Sequence, residues 1–150
     1  NEAEKDLSGL IDNLFSKIGE GKIKLFLILL TLKTREEKPK LFQKGSYIPL
    51  EVKGEFKGHI ISFAREYREN WAITIVPRFL TKVVENDEIP IGKVWKDTEI
   101  LLPEKAPKFW KNKITEDVVK SKGALPVRRL LQEFPVALLI NGKKKNKTRG

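Results

Sequence analysis

The chain has 150 residues, and its 30 Lys and Arg residues against 20 Asp and Glu residues give a formal net charge of +10. Hydrophobic residues make up 40% of the chain, which is enough for one folded domain or two small ones and argues against wholesale disorder. Cysteine is absent and His59 is the single histidine, which excludes disulfides, thiolate nucleophiles and multi-histidine metal sites. We therefore expect no metal and no cofactor, and any histidine-based catalysis must use His59.

The sequence contains no segment that predicts membrane insertion or secretion. Its longest apolar run, residues 25–32, is bounded by lysines and is shorter than the roughly 20 residues that a membrane-spanning helix needs. The first six residues are polar and acidic, unlike the basic head of a signal peptide. The absence of cysteine is typical of a reducing compartment, so we predict a cytoplasmic protein without a membrane partner.

Two features of the composition concern the origin of the chain. Methionine is absent and the chain begins at Asn1, so we expect it to be a piece of a larger protein. A composition rich in Lys and Glu without Cys or Met is typical of proteins from hyperthermophiles.

The first forty residues predict two helices. Apolar residues over 3–18 recur at helical spacing in one stripe, and Gly19 and Gly21 supply a C-terminal stop. Residues 22–38 are Leu-rich and apolar round most of their surface, which predicts a second helix that Pro39 ends. Such a helix must be covered on more than one side, and we expect the rest of the chain to cover only part of it.

After Pro39 the sequence changes to short β-branched and aromatic runs separated by turn residues. Five strands are predicted, over residues 47–53, 59–67, 71–77, 94–102 and 136–141, with a tight polar loop at 68–70. Residues 127–134, between two prolines, predict a short helix packed over an edge of the sheet. From Gly142 onward, five positive charges without an acid predict a disordered tail.

The tryptophans are the clearest candidates for a binding role. Trp95 and Trp110 are candidate sugar contacts, because indole faces stack on sugar rings, although core packing would also explain them. Trp71 is in register with Ile73 and Ile75, which favours the core.

The titratable residues offer no catalytic constellation. His59 has no Ser, Asp or Glu at the spacing of a triad or a metal pair, so a structural role is favoured. Asp97 and Glu99 share a face of a predicted strand, but nothing around them predicts a pocket, and we interpret them as surface charges. No Gly-rich phosphate-binding loop is present.

Six strings of the sequence are informative when they are read together and in order. They are GKIKLF at 21–26, LFQKGSYIPL at 41–50, HIISFAR at 59–65, WAITIVPR at 71–78, GKVWKDT at 92–98 and FPVALL at 134–139. In this order, over residues 21–139, they resemble the C-terminal part of maltooligosyl trehalose synthases, which belong to the α-amylase superfamily. Their combination is fairly specific to this subfamily, whereas any one of them would be weak.

The resemblance implies an enzyme that converts the reducing-end α-1,4 bond of a maltooligosaccharide into an α,α-1,1 bond, by a retaining route with two carboxylates. It implies an α+β chain, with residues 1–38 as terminal helices of a (β/α)8 barrel, 39–141 as an antiparallel β-sandwich with one short helix, and 142–150 as a basic tail. The implied partners are the upstream catalytic barrel and, through it, the maltooligosaccharide. No catalytic motif of the family is present here; His59, Arg65 and Arg78 match family positions and are expected to be structural or interdomain residues.

Two alternatives from other classes remain at this point. One is a stand-alone sugar-binding β-sandwich that uses Trp95 or Trp110. The other is a basic nucleic-acid-binding module that uses the tail, which is disfavoured because acids and bases are interspersed elsewhere and no RNA- or DNA-binding signature occurs.

Overall fold

The computed structural model describes residue 9, residues 21–85 and residues 88–141. The predicted helix over 3–18 and the predicted tail from residue 142 lie outside these residues, except for Gly9, which is helical and exposed. The described part consists of a few helices and two antiparallel sheets, which confirms the mixed α+β class. No barrel is present within it.

Two helices begin the described part. Helix α1 spans Lys22–Glu37, close to the predicted bounds, and helix α2 spans Pro39–Lys44. Proline disfavours helical geometry in the residue before it, so the chain leaves α1 at Lys38, and Pro39 then occupies the first turn of α2. The predicted end of the first helix is confirmed, whereas α2 was not predicted.

The strands form two sheets in which every pair is antiparallel. The strand bounds are β1 Ser46–Pro49, β2 Val52–Lys53, β3 Ile60–Tyr67, β4 Asn70–Pro77, β5 Glu99–Leu101, β6 Phe109–Asn112, β7 Val118–Lys120, β8 Ala124–Pro126 and β9 Ala137–Asn141. In the larger sheet the order is β1–β3–β4–β9–β6–β7, and in the smaller it is β2–β5–β8. Helix α3, Val127–Leu130, follows β8.

The hairpin β3–β4 is the centre of the larger sheet and agrees with the predicted strands to within one residue. Its register pairs Tyr67 with Asn70, which leaves Arg68 and Glu69 as the connecting loop. Both loop residues have positive φ, 47° and 66°, as a type I′ turn requires. Non-glycine residues adopt this conformation only under strain, and the side chain of Asn141 steadies it by donating to the Glu69 carbonyl at 3.2 Å.

The main hydrophobic core includes residues of both sheets and of the segments between them, so the β domain is sandwich-like. The buried residues of this core are Leu50, Phe56, Ile60, Ala64, Trp71, Ile73, Ile75, Trp95, Ile100, Trp110, Val119, Leu125, Val127, Leu130, Leu131, Ala137 and Leu139. A second, smaller cluster joins α1 to the larger sheet around Ile114 and Phe134. The helix and the β domain are therefore packed together through apolar contacts.

Two of the predicted strands were wrong in extent. The segment 47–53 divides at Leu50 and Glu51, where the chain crosses from the larger sheet to the smaller one. The Leu50 N–H still donates to the Ser62 carbonyl of β3, whereas the Glu51 carbonyl already accepts from the Leu101 N–H of β5. The segment 94–102 begins as a 3₁₀ turn, Gly92–Trp95, and only Glu99–Leu101 is a strand. Lys96, with φ of 47°, reverses the chain between the two, and a positive φ at lysine is not predictable from sequence.

The sequence also missed β6, β7 and β8, and it overestimated the last helix. These strands have only three or four residues each, which is too short for an alternating pattern to stand out. Helix α3 ends after one turn at Leu130 rather than at Phe134.

Candidate functional site

The surface of α1 that faces away from the β domain carries an apolar stripe. Four large side chains are spaced three and four residues apart, so they share one helical face. Their exposed fractions are Leu25 57%, Ile28 44%, Leu29 59% and Leu32 55%. Adjacent exposed apolar side chains of this size are typical of a surface that binds another protein segment. We call these four residues the α1 stripe.

The opposite face of α1 is packed on the β domain. Ile23, Phe26, Leu27 and Leu30 contact the cluster around Ile114 and Phe134. The rings of Phe26 and Phe134 lie 6.2 Å apart at an interplanar angle of 55°, which is a favourable tilted arrangement. Helix α1 is thus apolar on two opposite faces, of which the β domain covers one.

The C-terminal end of α1 is held by polar contacts. Lys113 Nζ donates to Glu37 Oε2 at 2.9 Å, and this hydrogen bond is the main reason why the pKa of Glu37 is lowered. Desolvation opposes the shift, and the positive charges of Lys113, Lys33 and Lys38 add to it. Thr34 is fully buried, and its hydroxyl donates to the Leu30 carbonyl at 2.8 Å. The helix is fixed at both its apolar face and its end, so the α1 stripe has a defined orientation.

Two of the residues that match the family motifs meet at a corner after β4. His59 Nδ1 lies 2.9 Å from the Phe79 carbonyl oxygen, and Arg78 Nε donates to the Gly58 carbonyl at 3.0 Å. These side-chain hydrogen bonds go to backbone carbonyls and fasten the loop that leaves the strand. Both side chains therefore make local structural contacts, and the expected structural or interdomain roles of His59 and Arg78 stay a prediction.

Phe79 at this corner was not anticipated from the sequence. Its side chain is 70% exposed, and its backbone has φ of 52°, an uncommon conformation for an aromatic residue. The guanidinium of Arg78 lies 5.2 Å from the ring centroid. The sequence does not predict the exposure or the positive φ of Phe79, because the residues before it have the pattern of a buried strand.

The third family-matching residue, Arg65, lies on the outer face of the larger sheet. Its Nη1 donates to the Gly45 carbonyl at 3.2 Å, next to the turn between α2 and β1. A Cβ at Gly45 would lie 2.2 Å from the Leu41 carbonyl oxygen, so this tight turn requires glycine. Arg65 also lines a cavity between the sheet and the two helices.

The two candidate sugar contacts are in the core. Trp95 and Trp110 are both 0% exposed, so neither indole presents a face to a sugar ring, and the predicted stacking role is at odds with this geometry. Trp95 Nε1 donates to the Pro90 carbonyl at 2.8 Å, and Trp110 packs edge-on against Trp71 at 6.5 Å. The core assignment of Trp71, which is 3% exposed, agrees with its burial.

Asp97 has a local structural contact, since its carboxylate accepts a hydrogen bond from the Glu55 backbone N–H at 3.0 Å. Among the described residues, no group of three or more His, Cys, Asp or Glu side chains could hold a metal ion. In the same part of the chain, no helix is long and apolar enough to cross a membrane.

Comparison with solved structures finds one relevant likeness. A mutant of maltooligosyltrehalose synthase from Arthrobacter ramosus matches with a TM-score of 0.56 and 26% sequence identity, over 74% of this chain and 12% of that chain. No protein-family model matches the chain, and no curated protein matches it in sequence. The chain thus resembles a small part, 12%, of a much longer maltooligosyltrehalose synthase.

Proposed function

We propose that this chain is the C-terminal part of a maltooligosyl trehalose synthase. In that role it belongs to an enzyme that converts the reducing-end α-1,4 bond of a maltooligosaccharide into an α,α-1,1 bond. The proposed contribution of the chain is structural, namely to pack against an upstream catalytic barrel and stabilise it. The barrel would supply the nucleophile and the acid/base carboxyl that the retaining route needs.

One structural match and a resemblance in the sequence support this assignment. The structural match has 26% identity over 74% of the chain, and it is to a maltooligosyltrehalose synthase. The sequence strings from GKIKLF to FPVALL resemble the C-terminal part of the same family in the same order. The chain spans 12% of the matched protein, so the activity proposed is that of a longer parent.

The single observation that carries the proposed partner is the α1 stripe. Leu25, Leu29 and Leu32 are each more than half exposed although the opposite face of the same helix is packed in a core. Burying such a side chain stabilises by about 1.5 to 3 kcal/mol relative to leaving it exposed. A helix between a β domain and the strands of a barrel would have both faces covered, and we propose that the upstream barrel covers the stripe.

The first test is the coding sequence upstream of Asn1 and the activity of the protein that it encodes. We expect barrel strands with two catalytic carboxylates, and a purified intact parent that removes reducing ends from maltohexaose with formation of trehalose-ended product. The 150-residue chain alone should leave maltohexaose unchanged. An upstream sequence without such a barrel, or trehalose-ended product from the chain alone, would overturn the proposal.

The second test separates the interface from the enzyme assignment. In the intact parent, Leu29→Glu should lower the melting temperature, because a charge would be buried against the barrel. The control is Gln43→Glu, which adds the same charge at an exposed position of α2. If both variants melt like the parent while activity is intact, the enzyme assignment stands and the stripe is not the interface.

A further inference from the structure

A cavity of about 230 Å³ lies between α1, α2 and the outer face of the larger sheet. Its floor follows the sheet register: Phe63, Thr74 and Leu138 are directly opposite one another on β3, β4 and β9, and Arg65 is opposite Ala72 in the next row. The walls come from Thr31 and Arg35 of α1 and Phe42 of α2. We call it the arginine cavity.

The charge of this cavity is unbalanced. Two guanidinium groups, Arg35 and Arg65, line it together with no carboxylate. Arg65 uses one side-chain hydrogen bond, to Gly45, out of the five N–H donors that a guanidinium carries. Arg35, which is exposed, has no hydrogen bond or ion pair to another residue within 21–85 and 88–141, so neither arginine at the cavity is neutralised by a carboxylate of this part of the chain.

The neutral lining also suits a polar ligand. Thr74 has no side-chain hydrogen bond to any other described residue, although it sits between the apolar side chains of Phe63 and Leu138. Thr31 uses its hydroxyl proton within α1, where it donates to the Leu27 and Ile28 carbonyls at 2.8 and 3.0 Å, so it can only accept from a hydroxyl of an organic moiety. The cavity therefore combines cationic donors, hydroxyl groups and two aromatic rings.

We propose that the arginine cavity binds a small phosphoryl compound between Arg35 of α1 and Arg65 of β3. Guanidinium groups bind phosphate through paired, charge-assisted hydrogen bonds, and two of them match a phosphoryl dianion. The proposal does not depend on the proposed enzymatic function.

The size of the cavity limits the ligand. A volume of about 230 Å³ holds a phosphoryl group with one small organic moiety, and it is below the roughly 300 to 1,000 Å³ of pockets for drug-sized ligands. The rings of Phe42 and Phe63 offer a surface for the organic moiety. A bound anion would join α1 to the sheet and so strengthen the packing of the helix that carries the α1 stripe.

The test is a titration of the 150-residue chain, labelled with ¹⁵N, with inorganic phosphate and separately with glucose 6-phosphate, at constant ionic strength set with chloride. We expect saturable shifts of the Arg35 and Arg65 side-chain Nε–H signals and of the Thr74 amide. Tighter binding of glucose 6-phosphate would identify an organic phosphate as the ligand, and equal affinities would mean that the phosphoryl group alone is recognised.

Variants decide whether the effect belongs to this cavity. Arg35→Gln and Arg65→Gln should each weaken phosphate binding at least tenfold, whereas Arg128→Gln removes an exposed charge on α3 and should leave it unchanged. Arg35 is exposed, so its substitution tests the proposal even if Arg65→Gln fails to fold. Non-saturable shifts, or equal binding by Arg35→Gln and Arg128→Gln, would reduce the effect to general screening by salt and overturn the proposal.

Discussion

Lys113 Nζ lies 2.9 Å from Glu37 Oε2, and this ion pair connects the last turn of α1 to the chain just after β6. The two residues are 76 positions apart in sequence, so the contact forms only when the helix is packed on the β domain. The lysine side chain is 14% exposed and the glutamate side chain 41%, which makes the pair a partly screened one. It reports on the packing of the helix that carries the α1 stripe.

The first prediction follows from the direction of the Glu37 pKa shift. The folded state lowers this pKa, so the stabilisation by the pair is present above the ordinary carboxyl pKa and is lost as the pH falls through the folded-state value. Glu37→Gln should destabilise the chain at pH 7 by less than about 1 kcal/mol, because the pair is exposed to screening. The difference from the unsubstituted chain should vanish in acid. Urea unfolding of the variant and of the unsubstituted chain, at pH 7 and in acid, measures this difference in the free energy of unfolding. The control is Glu36→Gln, which removes the charge of an exposed neighbour. A difference that does not change with pH would contradict the prediction.

A second prediction concerns the two buried tryptophans, which differ in one hydrogen bond. Trp95 donates to the Pro90 carbonyl at 2.8 Å, whereas the Nε1 of Trp110 has no partner although it is buried. Trp95→Phe leaves a carbonyl without its donor, so it should cost about 1 to 3 kcal/mol more than the loss of ring volume alone. Trp110→Phe should be the milder substitution. Thermal unfolding of both variants tests this, since Trp95→Phe should lower the melting temperature more than Trp110→Phe. A larger loss in Trp110→Phe would contradict the prediction.

Burial of the tryptophans also predicts their response to sugar. Because Trp71, Trp95 and Trp110 are at most 3% exposed, maltohexaose should not quench or shift the tryptophan fluorescence of the chain. A saturable quench would restore the sugar-contact hypothesis for Trp95 or Trp110.

The third prediction uses two glycines that lie in different surroundings. A methyl group at Gly45 would lie 2.2 Å from a backbone oxygen of Leu41, whereas at Gly58 nothing lies within 4 Å. Gly45→Ala must therefore shift the turn between α2 and β1, at a cost of about 1 to 3 kcal/mol. Gly58→Ala should change the free energy of unfolding by less than about 0.5 kcal/mol. Equal melting temperatures of the two variants would contradict this account of the turn.

Periodicity in the sequence identified the elements that are long enough to show it. Helix α1 and the hairpin β3–β4 were predicted nearly to the residue, because sixteen helical residues or eight alternating ones reveal which faces are apolar. Strands β6 to β8 were missed because three or four residues are too few to show an alternating pattern, whether the partner strand is near in sequence, as for β6 and β7, or more distant, as for β5 and β8. The loop at Arg68 and Glu69 was predicted from its polar residues, but its positive φ angles and the positive φ of Lys96 were not, because no sequence pattern marks that conformation in residues other than glycine.

The candidate site was predictable only in part. Continuous apolar surface on residues 22–38 correctly indicated a helix that is apolar on more than one side, but the sequence did not show which four residues would remain exposed. The spacing of Leu25, Ile28, Leu29 and Leu32 would have suggested one stripe, and the equal spacing of Ile23, Phe26, Leu27 and Leu30 would have suggested another. Contacts with Phe134 and Ile114 decide between them.

The last prediction is that the 150-residue chain self-associates through the α1 stripe when no other segment covers it. Its four side chains are each 44% to 59% exposed and adjacent on one helical face, and burial would stabilise each by about 1.5 to 3 kcal/mol at most. Replacing Leu25 and Leu29 by lysine should shift the chain toward monomer in sedimentation velocity. The control is Gln43→Lys with Gln132→Lys, which adds two positive charges at exposed positions outside the stripe. If the control dissociates the chain equally, general charge repulsion is the cause; if the unsubstituted chain is a monodisperse monomer, the stripe is not an interface in isolation.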